Sequence, residues 1–287
     1  MPQAPVNGIN IYYESHGDGY PLVWSHEFAG DYRSWEPQVR FFTRRYRVIT
    51  YSARGYLPSD VPTDESSYSQ DQAVDDLRGL LEHLGIEQAH IGGLSMGGNV
   101  ALNFGLKHPD MARSLVVAGT GTGSTDPEGF RKNVNSIAQR MQEQGMAAMT
   151  DYTRGSARIQ FLRKDPHGWQ EFADQFYEHS AIGSALTYRG VQGKRPSLFE
   201  LQDQLTKLEV PTLIMIGDED DPCIEPSIFM KRHIPYSGMV VIPQSGHAIN
   251  LEEPEQFNRA VLDFLTAVEA GKWARQGGGE TGGDLMR

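Results

Sequence analysis

Gln88-Ala89-His90-Ile91-Gly92-Gly93-Leu94-Ser95-Met96-Gly97-Gly98-Asn99-Val100-Ala101-Leu102-Asn103-Phe104-Gly105-Leu106-Lys107-His108 is the stretch around which the rest of the chain is arranged. A short apolar run ends in Gly93-Leu94-Ser95-Met96-Gly97, and a helical pattern of small residues follows, closed by Pro109. The pattern predicts a strand, a sharp turn and a helix, with Ser95 at the point of the turn. Such a turn strains the backbone of its central residue and lifts the hydroxyl out of the sheet into a cleft. Flanking glycines are required where any Cβ would strike the neighbouring strand or helix. The amide of Met96, next in the chain, then faces the space beside the hydroxyl, where the negative charge of a tetrahedral intermediate would develop.

On either side of this stretch, short apolar strands alternate with helices. Val6-Asn7-Gly8-Ile9 reads as a tight hairpin, and Pro21 to His26 as a buried strand. A helix over about 34–43 and a strand over 47–51 follow, and Ser69 caps a helix running to about Leu84. Ser114 to Ala118 is a further strand. The pattern lapses from about Gly121 to Lys207, a helical segment holding Met141, Met146, Met149, Tyr152, Phe161, Trp169, Phe172, Phe176 and Tyr177. Strands resume at 211–217 and 239–243, and a last helix spans about 254–270. The alternation predicts βαβ units on a mostly parallel sheet flanked by helices. The expected organisation is an α/β core over 1–120 and 208–270 with a helical cap inserted over 121–207. The cap would cover the carboxyl edge of the sheet, where ligands bind in open α/β folds. Its Met and aromatic residues are expected mainly to form the cap's own core, with some facing the pocket. The Gly-rich tail, 271–287, is expected to be disordered.

The 287 residues carry a net charge of −11, which argues against nucleic acid or an anionic membrane as partner. With one cysteine, Cys223, no internal disulfide is available. No apolar run reaches ~18 residues, the length of a membrane span, and the N-terminus has no signal-peptide pattern. A cytoplasmic location is therefore the default expectation, with a small-molecule substrate and a homo-oligomer compatible with the sequence. The histidines form no metal-ligand spacing, and no phosphate loop or dinucleotide fingerprint is present in the right context. No cofactor and no metal are expected.

A serine hydroxyl needs a base within hydrogen-bond reach to act as a nucleophile at neutral pH. In sites built on this turn, an acid and then a histidine follow the serine, each on a loop after a strand. Of nine histidines, only His233 and His247 lie downstream of the acid candidates. His233 falls at the end of a helical segment, so His247, in Gln244-Ser245-Gly246-His247, is the expected base. The acid comes from Gly217-Asp218-Glu219-Asp220-Asp221-Pro222. Asp220 is the choice and Asp221 the runner-up, with the remaining carboxylates expected to be solvated. The second oxyanion donor is expected to be the backbone amide of Phe28, in the loop over 25–30.

These residues resemble the α/β-hydrolase superfamily over about residues 6–270. Gly93-Leu94-Ser95-Met96-Gly97-Gly98 is similar to its nucleophile elbow, and Ser245-Gly246-His247 with Glu253-Pro254-Glu255-Gln256-Phe257 to its histidine loop. Gly217 through Asp220 is similar to its acid loop, and Ser52-Ala53-Arg54-Gly55 to its structural Arg-Gly turn. The capped, small-substrate branch is the nearest match, and Leu94 before the serine leans toward esterases and enol-lactonases. The resemblance implies a serine hydrolase of small carboxylic esters or lactones. The alternatives are a specialised enol-lactonase, a C–C bond hydrolase, a cofactor-free haloperoxidase-like activity and, from another class, a hydrolase-fold receptor. Glu27 stands where the family usually has a glycine. Its side chain is expected either to point away or to border the pocket and repel anionic substrates. Leu94 is a further candidate for the pocket wall, and Cys223 is expected to be inert.

Overall fold

A computed structural model describes residues 2–276. Strands β1 (Gln3–Val6) and β2 (Ile9–His16) form the hairpin expected around Asn7-Gly8, where φ is 47° and 81°. Positive φ at both central residues gives the turn whose twist matches the flanking strands. The chain continues through β3 (Tyr20–Ser25), α1 (Glu36–Phe42), β4 (Tyr46–Tyr51) and α2 (Gln70–His83). Next come β5 (Ala89–Leu94), α3 (Met96–Lys107) and β6 (Ala112–Ala118). The Ser69 hydroxyl accepts from the Gln72 amide and starts α2 as predicted.

Five helices then leave the sheet: α4 (Pro127–Gln144), α5 (Thr150–Arg154), α6 (Ile159–Lys164), α7 (Pro166–Tyr177) and α8 (Ala181–Thr187). The core resumes with the short α9 (Gln202–Leu205), then β7 (Thr212–Gly217), α10 (Asp221–His233) and β8 (Ser237–Ile242). It ends with α11 (Ile249–Glu252) and α12 (Pro254–Glu269). The eight strands are ordered β1-β2-β4-β3-β5-β6-β7-β8, antiparallel at β1/β2 and β2/β4 and parallel elsewhere.

Both faces of the parallel sheet are buried, because side chains alternate along each strand and helices cover each side. Val23, Ile49, Ile91 and Val117 pack under α2 and α3 with Leu77, Leu80 and Phe104. Leu22, Trp24, Val48 and Val116 pack on the opposite side with Trp35, Phe257, Val261 and Phe264. There Trp24 and Trp35 stack with ring centroids 4.5 Å apart. No helix among the described residues is long and apolar enough to cross a membrane.

The cap has its own apolar cluster, holding Met141, Met146, Met149, Phe161, Trp169, Phe172 and Phe176 together with Phe28, Tyr56 and Met96 from the core. Its carboxyl boundary falls earlier than the expected 207. Leu198, Leu201, Leu205 and Leu208 are buried with the sheet-face residues and not with the cap cluster. Helical character over these residues gave no sign of which body they join. The tail boundary also moves. Trp273 packs on Phe264 at 4.7 Å and its indole N–H donates to Tyr236 O, while Gln276 bonds the 231–237 turn. Order thus continues past Gly271, and the remainder of the expected disordered tail, 277–287, lies outside the described residues.

Candidate active site

Ser95 sits between β5 and α3 with φ 56° and ψ −108°, a region that disfavours a residue bearing a Cβ. The turn holds because its neighbours leave no alternative. Ser95 N donates to Ala118 O at 2.8 Å. A Cβ on Gly97 would stand 1.9 Å from Ser25 O, and one on Gly93 would stand 2.2 Å from Gly97 O. The glycines predicted from the sequence are therefore positions of direct backbone-to-backbone approach.

Asp220 and His247 follow β7 and β8, neighbouring strands, and the sheet register brings their loops together. His247 Nδ1 lies 2.7 Å from Asp220 Oδ2, and both side chains are buried. Among the four consecutive carboxylates, Asp220 alone is buried, while Asp218, Glu219 and Asp221 are exposed. Asp221, the runner-up, opens α10 and is exposed, whereas Asp220 is the carboxylate in contact with His247. His233 is half-buried at the end of α10, its Nδ1 2.8 Å from Phe229 O. Burial by itself would lower the His247 pKa, but the Asp220 charge and hydrogen bond outweigh it and raise the imidazole to about 10. The His247 backbone N–H donates to Ala157 O at 2.7 Å, which ties the histidine loop to the cap.

The loop after β3 is held by His26. Its Nε2 accepts from the Ala53 amide at 2.9 Å, which fixes the proton on Nδ1 for donation to Glu27 O at 2.7 Å. Burial pushes His26 down to about 4, so the ring stays neutral. The Phe28 and Met96 amides donate no hydrogen bond among the described residues. Tyr56 links the two positions, with its hydroxyl donating to Phe28 O at 3.0 Å and lying 4.0 Å from Met96 Sδ. The Phe28 side chain is fully buried, edge-on to Tyr188 and Tyr152 of the cap. Behind the site, Arg54 is gripped by both oxygens of Asp76 at 2.8 and 2.9 Å, the structural role expected of that turn.

Ser95, Asp220 and His247 share a cavity of about 120 Å³ with Tyr152, Arg158 and Tyr188 of the cap. Of the aromatic and Met residues picked out in the cap sequence, Tyr152 is the one on this cavity wall; Met141, Met146, Met149, Trp169 and Phe176 are cap core. Leu94, a candidate for the wall, belongs instead to the core cluster with Trp24 and Val116. Leu94 is the last residue of β5, and the strand's alternation directs its side chain onto the sheet face that packs with Trp24 and Val116.

Glu27 does not point away. It is 2% exposed and paired with the guanidinium of Arg158, itself 5% exposed, and its Oε2 is 3.9 Å from His247 Nε2. Arg158 lies over Tyr152 at 4.6 Å and Phe172 at 5.5 Å. The anion repulsion expected of Glu27 is thus met by a counter-charge from the cap. Sequence reasoning missed Arg158, which stands 131 positions from its partner. The available signal was Glu27 itself, a carboxylate in a loop that the fold buries and that therefore needs a cation.

Asp220, Cys223 and His247 present potential ligand atoms within 4.8 Å of one another. The carboxylate and the imidazole already engage each other, and burial pushes the Cys223 thiol up, which disfavours the thiolate that a metal or a nucleophilic role requires.

Residues 20–254 match the family model described as the alpha/beta hydrolase fold. The chain is 29% identical over 251 residues to 3-oxoadipate enol-lactonase 1 of Acinetobacter baylyi, covering 86% of this chain and 89% of that protein. Among solved structures it is similar to a thermophilic esterase from Thermogutta terrifontis (28% identity, TM-score 0.83, 93% and 98% covered). It is also similar to the enol-lactonase of Burkholderia xenovorans (25% identity, TM-score 0.81, 92% and 100% covered). The chain belongs to the α/β-hydrolase family. An ester-acting hydrolase fits both these relatives and the groups gathered around Ser95.

Proposed function

We propose that the protein is a serine hydrolase that cleaves small carboxylic esters or lactones through an acyl-enzyme. Ser95 Oγ attacks the carbonyl carbon as His247 Nε2 takes its proton, and the protonated His247 then delivers that proton to the leaving alkoxide. In the second half-reaction His247 removes a proton from water, the hydroxide attacks the acyl carbon, and Ser95 leaves as the hydroxyl. Asp220 holds the imidazole with its proton on Nδ1 and stabilises the imidazolium. The Phe28 and Met96 amides receive the oxyanion, a contribution of roughly 3–4 kcal/mol each where such donors have been removed from other acyl-transfer enzymes.

The observation that carries this reading is the buried 2.7 Å His247–Asp220 contact on the same small cavity as a serine held at φ 56°. The three groups reach the cavity from three separate loops, those after β5, β7 and β8. The cavity volume, about 120 Å³, matches a small acyl group. The similarity to two enol-lactonases favours lactones as the second substrate class to try. The test is turnover of p-nitrophenyl esters from acetate to dodecanoate, and of small lactones, by wild type and Ser95→Ala. Steady turnover that Ser95→Ala abolishes supports the assignment. Turnover that survives in the folded variant overturns it.

A further inference from the structure

Three arginines are buried among the described residues: Arg54, Arg158 and Arg195. Arg54 is matched by Asp76 and Arg158 by Glu27. Arg195 has no carboxylate partner among the described residues. Its Nη2 donates to Thr122 O at 2.9 Å, and its Nη1 is buried with nothing to receive its protons. Buried charges are ordinarily paired, because leaving water without a counter-charge is costly. Arginine also cannot escape by losing its proton at neutral pH. Burial lowers Arg195 to about 10, with only weak opposition from Cys223, Tyr188 and Tyr152.

The position adjoins the proposed chemistry. Thr122, Phe130 and Gln192 line both the cavity that holds Ser95 and the narrow cleft that Arg195 borders. The Thr122 hydroxyl is 3.2 Å from Cys223 Sγ, which lies beside Asp220 and His247. No carboxylate lines the cleft, and Arg131 adds a second cation to its wall. Gln192 Oε1 is also buried without a partner, and the amide, turned about its last bond, presents an N–H in its place. What sets this pair apart is that an uncompensated guanidinium and an unpartnered amide border one cleft beside the active-site cavity, where a ligand can supply the partner.

We propose that Arg195 and Gln192 form an anion subsite continuous with the active-site cavity, and that the substrate is an ester or lactone bearing a carboxylate a few bonds from the scissile carbonyl. The substrate part of this inference rests on the ester and lactone reading above. The guanidinium fork receives the carboxylate through parallel N–H···O bonds, and neutralising the buried charge is part of the driving force. The cleft is tight in this structure, about 10 Å³, so the carboxylate enters by displacing the half-buried Phe130 side chain.

Two matched series test it at fixed ionic strength. In one, mono-p-nitrophenyl esters of adipic and pimelic acid are compared with p-nitrophenyl hexanoate and heptanoate. In the other, 4-acetoxybutanoate is compared with its methyl ester. The expected result is a kcat/KM preference of about tenfold to a hundredfold for the anionic member of at least one series. Arg195→Met removes the preference and Arg195→Lys keeps part of it. Adipate raises the melting temperature of wild type but not of Arg195→Met, and Arg195→Met melts above wild type without ligand, which a merely structural arginine would not produce. Turnover of the esters with no preference in either series, a preference that survives Arg195→Met, or a destabilised Arg195→Met with no adipate effect on wild type each overturns the subsite. If no ester is turned over but adipate protects wild type alone, the subsite stands and the hydrolase reading falls. If neutral esters are turned over and adipate protects neither protein, the reverse holds.

Discussion

Glu27→Gln should be among the more destabilising single substitutions in this protein, although glycine is the usual residue at its position. Its carboxylate and the Arg158 guanidinium are 2% and 5% exposed, so neither charge has water as an alternative partner. Removing one member of such a buried pair typically costs about 3–5 kcal/mol, because the other remains buried and uncompensated. The two single variants should not be equal. Arg158→Met leaves a carboxyl that can take up a proton, whereas Glu27→Gln strands a guanidinium that cannot release one. Glu27→Gln should therefore lie at the upper end of the range and Arg158→Met below it. The double variant should return to within about 1 kcal/mol of wild type, since two apolar or neutral groups of similar size replace the pair. Urea unfolding of the four proteins gives the coupling energy directly. Single variants that each cost less than about 0.5 kcal/mol, or costs that simply add in the double variant, would refute the reasoning. An independent sign comes from His247, whose Nε2 is 3.9 Å from Glu27 Oε2. Unit charges at that separation interact by about 4 kcal/mol at an effective dielectric near 20. With Glu27 neutralised, Arg158 acts on the imidazole without opposition. The pH–rate profile of Glu27→Gln should shift to lower pH.

The other predictions concern the proposed triad and its frame. Because Asp220 raises the His247 pKa to about 10, kcat/KM should keep climbing from about pH 7 to about pH 10 as the neutral base is released, without levelling off above the ordinary histidine value of ~6.5. Linkage gives the same pair a stability contribution that is full below ~6.5 and lost as pH rises through about 10, measurable as a falling melting temperature over that window. Asp220→Asn removes the opposing charge and leaves burial, so the profile's midpoint should fall below ~6.5 while kcat drops by roughly 10⁴; an unshifted midpoint would count against the contact. Gly97→Ala places a methyl 1.9 Å from Ser25 O and should cost about 3 kcal/mol along with most of the activity, read by urea midpoint and ester turnover. Tyr56→Phe loses the bond to Phe28 O but keeps the ring, so kcat should fall several-fold with KM little changed, provided the Phe28 carbonyl orients its loop.

What could be read from the sequence and what could not divide along a physical line. The hairpin, the parallel strands, the sharp turn at Ser95 and the meeting of Asp220 with His247 were legible because each is written in a few consecutive residues. Asn-Gly permits φ > 0, glycines flank Ser95, and a glycine stands before each loop that leaves β7 and precedes α11. The cap's end at Leu198–Leu208 was not legible, because an amphipathic turn has the same spacing whichever body it packs against. Leu94 was misplaced for a related reason, since only the sheet's pleat decides which side of the elbow it takes. The Glu27–Arg158 pair and the unmatched Arg195 were invisible for a deeper one. Whether a charge is compensated depends on tertiary contacts across the cap–core boundary, which joins residues far apart in the chain. Taken alone, Glu27 indicates a site that turns anions away. With Arg158 placed against it that charge cancels, and Arg195 becomes the one buried arginine left without a carboxylate among the described residues. The expected preference of the pocket changes sign, toward anions, on two arginines that carry no motif.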